Sequence, residues 1–233
     1  MGPPSPGRMG SGAGSGLVRR RPGLYFALVS DHPEPRSSHL VERLRHAIDR
    51  EAKIAQALCA LGPVDDRNVL LLDGGSRDLA ERLTTGGARV GATTRGQLEG
   101  PPGPRVGDLL IVAFDAFAGP RAKDMAADIA NAEAFLRPGA RLLVLHDYGR
   151  DDVSRLYGSR PEYGDWSRRD GPFLGHGFKV RVVHSWWTFE SLEEARDLLA
   201  ESFGAAGVLV GAELTRPRLS YNVAVYHRTF GAP

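Results

Sequence analysis

Three stretches of this chain are apolar along almost their whole length and end in polar residues. They are NVLLLD at 68–73, DLLIVAFDAF at 108–117 and ARLLVLHDYG at 140–149. Between them lie segments of helical periodicity, SRDLAERLTTGG at 76–87 and RAKDMAADIANAEAFL at 121–136. A strand with no polar face must be covered on both sides, and intervening helices allow its neighbours to run parallel. The pattern therefore predicts an α/β fold, a mostly parallel sheet with helices on both faces. ARVGATT at 88–94 reads as a further strand. The Pro/Gly-rich RGQLEGPPGPRVG at 95–107 is too short for a helix plus a strand, so the sheet's third strand is expected to be missing or reduced.

The flanks are read in the same way. Residues 1–23 are rich in Gly, Pro and Ser and are expected to be a disordered tail. Residues 24–62 are expected to be an N-terminal segment and helix packed on the core, with one helix from His39 to Leu61 closed by Gly62-Pro63. The α/β domain proper is placed at 63–230, with a polar, aromatic and glycine-rich insertion at 150–179 that resembles a lid. Near the end, KVRVVHSWWTF (179–189) reads as a strand. Ser191 with Glu194 gives a capping box for the helix SLEEARDLLAESFG. VLVGAEL (208–214) and LSYNVAVYHR (219–228) are expected to form a C-terminal antiparallel hairpin.

Composition narrows the function classes. A chain of 233 residues suits one α/β domain with tails. Its net charge of +2 gives no electrostatic case for nucleic acid, which is not expected as a partner. One cysteine, Cys59, excludes an internal disulfide or a cysteine metal cluster. No apolar run reaches the roughly 20 residues of a membrane span, and no signal core follows Arg19-Arg20-Arg21. The expected location is cytoplasmic.

Three phrases carry a family resemblance: the strand-loop-helix at 69–83, FLRPGARLLVLHDYG at 135–149 and WTFESLEEARDLLAESFGAAG at 187–207. In this order they resemble the class I S-adenosylmethionine-dependent methyltransferases, over roughly residues 40–230. The resemblance implies a Rossmann-like fold, S-adenosylmethionine as cofactor and methyl transfer to a small molecule. The family's loop after the first strand is close to acidic-x-Gly-x-Gly-x-Gly. On VLLLDGGSRDLA only Gly75 agrees; Leu71, Asp73 and Arg77 occupy the other positions. The second strand ends in Ala92-Thr93-Thr94, where the family has an acid for the ribose. These departures leave open an alternative, a catalytically inactive binding or interaction module with the same fold.

Ligands of open α/β sheets bind beyond the carboxyl ends of the strands. The residues expected around the cofactor are therefore Asp73, Gly74, Gly75, Ser76, Thr93, Thr94, Asp115 and Phe117. His146 is the candidate general base, because imidazole titrates near neutrality, with Asp147 to orient it or to bind substrate. Tyr148, Trp166, Arg168 and Arg169 are candidates for stacking on or clamping the acceptor. A catechol-type magnesium site would use Asp115, His146 and Asp147. Histidine suits that ion poorly, so no metal is expected.

Overall fold

The structure, a computed structural model, describes residues 38–72, 77–100, 104–113, 125–158 and 166–231. The expectations for the 1–23 tail, for residues 24–36, for Asp73 to Ser76 and for Asp115 and Phe117 lie outside the described residues.

Two helices open the described chain, α1 (Ser38–Ala47) and α2 (Lys53–Leu61). The sheet and its crossovers follow as β1 (Asn68–Leu72), α3 (Arg77–Thr85), β2 (Arg89–Thr93), α4 (Arg95–Glu99), β3 (Gly107–Ala113), α5 (Met125–Phe135) and β4 (Leu136–Asp147). After α6 (Asp152–Leu156) come β5 (Lys179–Thr188), α7 (Leu192–Glu213) and β6 (Arg218–Thr229). The six strands are ordered β2-β1-β3-β4-β6-β5. All run parallel except β6, which is antiparallel to both β4 and β5. Between β2 and β3 the described chain contains only the five-residue α4, so β2 lies at the sheet's edge.

The apolar strands explain the two-layer covering. Along β4, Leu143 and Leu145 enter one core with α1, α2, α3, α6 and α7, while Leu142 and Val144 enter the other with α5. Each fully buried leucine contributes about 1.5–3 kcal/mol, so both faces are strongly specified. Residues 166–178 also belong to the second core, through Trp166, Phe173 and Phe178. These three side chains of the expected lid are thus packed on the sheet, while Arg168 to Asp170 and Gly175 to Gly177 are exposed.

Two elements differ from the sequence reading. The single helix expected over 39–61 is two, broken where Asp49 and Ala52 have φ of 48° and 56°. Asp49 stabilises the break. Its carboxylate accepts the N–H groups of Lys53 (3.0 Å) and Ile54 (2.9 Å) and the hydroxyl of Ser185 (2.6 Å), capping α2 and joining it to β5. The second difference concerns 208–214, where residues 208–213 are helical and not a strand. The antiparallel pair at the end of the sheet is β5 with β6, with α7 between them.

Glycines explain α7. Gly204, at φ 57° and ψ −130°, breaks the helix in a conformation that favours glycine, and the arm at 205–213 folds back on the arm at 192–203. Gly207 lies so close to the Leu199 carbonyl that a Cβ would collide with it, and a Cβ at Gly211 would sit 3.4 Å from the Arg196 Cα. Arg196 donates to the Gly211 carbonyl (3.2 Å), which holds the two arms together. Gly207→Ala should therefore lower stability by about 1–3 kcal/mol, seen as a lower urea midpoint at unchanged slope. An unchanged midpoint would contradict the close approach of the arms.

Candidate active-site rim

Parallel strands bring the ends of β1, β2, β3 and β4 to one edge of the sheet. The strand order reverses there: from β1 the chain steps to β2 on one side, then returns to β3 on the other. The switch lies between the segment after Leu72 and the segment after Ala113, where open α/β sheets form their ligand crevice.

Arg77 is the first residue of α3, and its side chain could have filled that crevice. It is instead 93% exposed and pairs with Glu81 along the outer face of the helix. At the end of β2, Thr93 and Thr94 are occupied locally. Thr94 caps α4: its hydroxyl accepts the Gln97 N–H (3.3 Å) and its N–H donates to Gln97 Oε1 (2.8 Å). The buried Thr93 hydroxyl donates to the same oxygen (3.3 Å). Gln97 supplies the reciprocal half of a capping box that the sequence reading did not single out.

His146 and Asp147 are neighbours in sequence but belong to opposite faces of β4, because successive strand side chains alternate. His146 is 2% exposed, with its ring 4.3 Å from that of Trp166, 5.2 Å from Phe173 and 6.3 Å from Tyr226. Its Nε2 is buried without a hydrogen-bond partner, and burial drives its pKa down to about 3. The role of general base oriented by Asp147 therefore does not fit. Asp147 lies on the opposite face of the strand, and the apolar cage keeps the imidazole neutral and away from solvent. Trp166, expected to face a substrate, is the nearest wall of that cage. Arg168 pairs with Asp170 (3.1 Å), and Arg169 is exposed beside it.

Asp147 is the half-buried carboxylate at the rim. The register of β4 with β6 sets Asp147 opposite Val223, and Tyr221, two residues away on the same face, donates its hydroxyl to Asp147 (3.0 Å). Tyr221 is held by the core and packs edge-on against Trp187. Burial, and then the charge of Asp147, raise its pKa well above that of free tyrosine, so it remains a donor.

Beyond Asp147 the chain turns sharply. Gly149 has φ of 77° and Arg150 φ of 58°. A non-glycine residue in the left-handed region costs on the order of 1–3 kcal/mol and needs support from its surroundings. Asn222 supplies it. Its side-chain amide donates to the carbonyls of Gly149 (3.2 Å) and Arg150 (3.3 Å), and its backbone carbonyl accepts the Tyr148 N–H (2.9 Å). Its own N–H donates to Asp151 (2.8 Å), which also caps α6 by accepting from Ser154. His184 Nδ1 lies 2.7 Å from Asn222 Oδ1. Because the amide nitrogen serves the carbonyls, that histidine nitrogen must be the donor. Asp152 completes the clamp by accepting the N–H (2.9 Å) and hydroxyl (2.7 Å) of Ser220. The sequence suggests packing or a turn for Asn222, but not this clamp, whose partners lie 38 and some 70 residues away. Among the described residues, no cluster of His, Cys, Asp or Glu has the form of a metal site, and no helix is long and apolar enough to cross a membrane.

No family model matches the chain, and no curated protein matches it in sequence. Among solved structures, it is similar to the YcgJ protein of Bacillus subtilis, with 10% identity over 79% of this chain and 100% of that one and a TM-score of 0.41. It is also similar to the geranyl diphosphate C-methyltransferase of Streptomyces coelicolor, solved with Mg2+, geranyl diphosphate and S-adenosyl-L-homocysteine. Identity there is 14%, with 89% of each chain covered and a TM-score of 0.40. Coclaurine N-methyltransferase, solved with N-methylheliamine and SAH, shows 12% identity over 76% of this chain and 73% of that one, with a TM-score of 0.41. The strand order itself, with one reversed strand between β4 and β5, is that of a mostly parallel, Rossmann-like α/β sheet.

The cage around His146 has a measurable consequence. The folded pKa lies below the ordinary value, so between about pH 6.5 and 3 the unfolded chain binds the extra proton and stability falls as pH falls. His146→Phe should remove that contribution and flatten the acid limb of a denaturation-midpoint profile relative to the parent chain. Parallel profiles for the two proteins would contradict the buried, neutral imidazole.

Proposed function

We propose that the chain binds S-adenosylmethionine at the switch point between β1 and β3 and transfers its methyl group to a small molecule. The strand order supports this reading: β1 and β3 are neighbours with their crossovers leaving in opposite directions, and in sequence Asp73-Gly74-Gly75-Ser76 follows β1 and Asp115 and Phe117 follow β3. Gly74 and Gly75 lack the Cβ that would hold a cofactor away from the backbone, and the exposure of Arg77 supports an unblocked site. The bound cofactor supplies an electrophilic methyl on a sulfonium. The protein's task is then to align an acceptor and hold its proton.

Asp147 is assigned to the acceptor side. Tyr221 fixes one of its oxygens from the core, which orients a carboxylate that can accept a proton or hydrogen bond from an acceptor hydroxyl or amine. His146 is assigned to structure. Thr93 and Thr94, committed to α4, leave the ribose without the family's acid, and the cofactor's hold rests mainly on the glycine segment and the segment after β3.

Isothermal titration with S-adenosylhomocysteine tests the reading. We expect saturable heat from the parent chain and none from Gly75→Trp, with both proteins melting cooperatively. Absence of heat from the parent chain at high protein concentration would refute it. Labelled methyl transfer into small molecules of a cell extract, lost in Asp147→Asn, would further separate an enzyme from a binding module of the same fold.

A further inference from the structure

The turn after β4 presents a side chain that the reading above does not use. Arg150 is exposed, and among the described residues its guanidinium makes no ion pair or hydrogen bond. Arg155, in the helix that follows, is engaged with Glu213 at 2.7 Å. Arg150 is also held at a φ of 58°, a conformation that glycine would adopt without strain. The support is extensive. Asn222 bonds the carbonyls of Gly149 and Arg150, Asp151 anchors Asn222, and His184 fixes the orientation of the Asn222 amide. Strain maintained by several converging bonds at a strand's carboxyl end points to a functional side chain.

We propose that Arg150 is a specificity residue that recognises an oxyanion, a carboxylate or phosphate, on the acceptor. The proposal rests on the methyltransferase reading and adds a substrate class to it. A guanidinium forks onto planar and tetrahedral oxyanions, and an exposed one pays little desolvation before it does so. Arg150 follows Asp147 by three residues, in the turn beyond the carboxyl end of β4. The acceptor is then a small molecule with an anionic group for Arg150 and a hydroxyl or amine for Asp147. The nearer acids do not cancel the cation: Asp151 is buried and bonded to Ser154 and Asn222, and Asp152 is bonded to Ser220.

Inorganic phosphate is the probe, titrated calorimetrically into the full chain at low ionic strength, with and without saturating S-adenosylhomocysteine. Arg150→Gln and Arg150→Gly should each weaken phosphate binding about tenfold or more, while Arg181→Gln, a change to an exposed arginine on β5, leaves it unaltered. Arg150→Gly should also raise the melting temperature as the backbone strain is released. Phosphate bound equally well by Arg150→Gln, or not bound by the parent chain, would overturn the proposal. So would a melting temperature that rises in Arg150→Gly with phosphate affinity unchanged, since the turn would then be structural only. Failure of S-adenosylhomocysteine to bind would refute the cofactor reading alone, because the phosphate titration without it decides the role of Arg150.

Discussion

The pairing of β4 organises this protein. On one side it is parallel to β3, and on the other it is antiparallel to β6. Its apolar residues are buried on both faces, so it can be neither an edge strand nor displaced by one residue without exposing a core. Its register with β3 fixes the parallel half of the sheet and hence the location of the switch point. Its register with β6 puts Tyr221 beside Asp147 and Asn222 beside the turn that follows.

Period-two alternation along that strand also divides the labour of two adjacent polar residues. His146 is sent into an aromatic cage, where desolvation removes its usual chemistry. Asp147 is sent to the face where a tyrosine from the core can hold it. The same logic accounts for the rigid turn at Gly149-Arg150. Its backbone groups are satisfied by Asn222, and Asn222 is itself fixed by Asp151 and His184, so the strain is spread over three segments of chain. The described part of the rim is thus stiff, built on β4 and β6.

Much of the fold was legible in the residues themselves. Continuous apolar strands declared a sheet covered on both faces, and the shortness of 95–107 announced the reduced region between β2 and β3. Other features could not be read because they depend on distant contacts. The end of α1 looks like helix until Ser185 and Trp186 meet Asp49 across the fold. The stretch 208–214 has β-branched and apolar residues suited to a strand, yet Gly204, Gly207 and Gly211 let it fold back as helix against α7's first arm. At the site, residue type suggested His146 as a base. Its depth, and not its chemistry, decides otherwise. Asn222 carried no local signal, because its importance lies in the turn it supports.

The central claim is that the crevice between β1 and β3 receives an adenosyl sulfonium. Amide hydrogen exchange of the full chain, measured with and without S-adenosylhomocysteine, tests it residue by residue. The account predicts slower exchange in the ligand's presence within 73–76 and 114–124, with β5 and α7 unaffected. Binding that slows exchange only outside those two segments would contradict it.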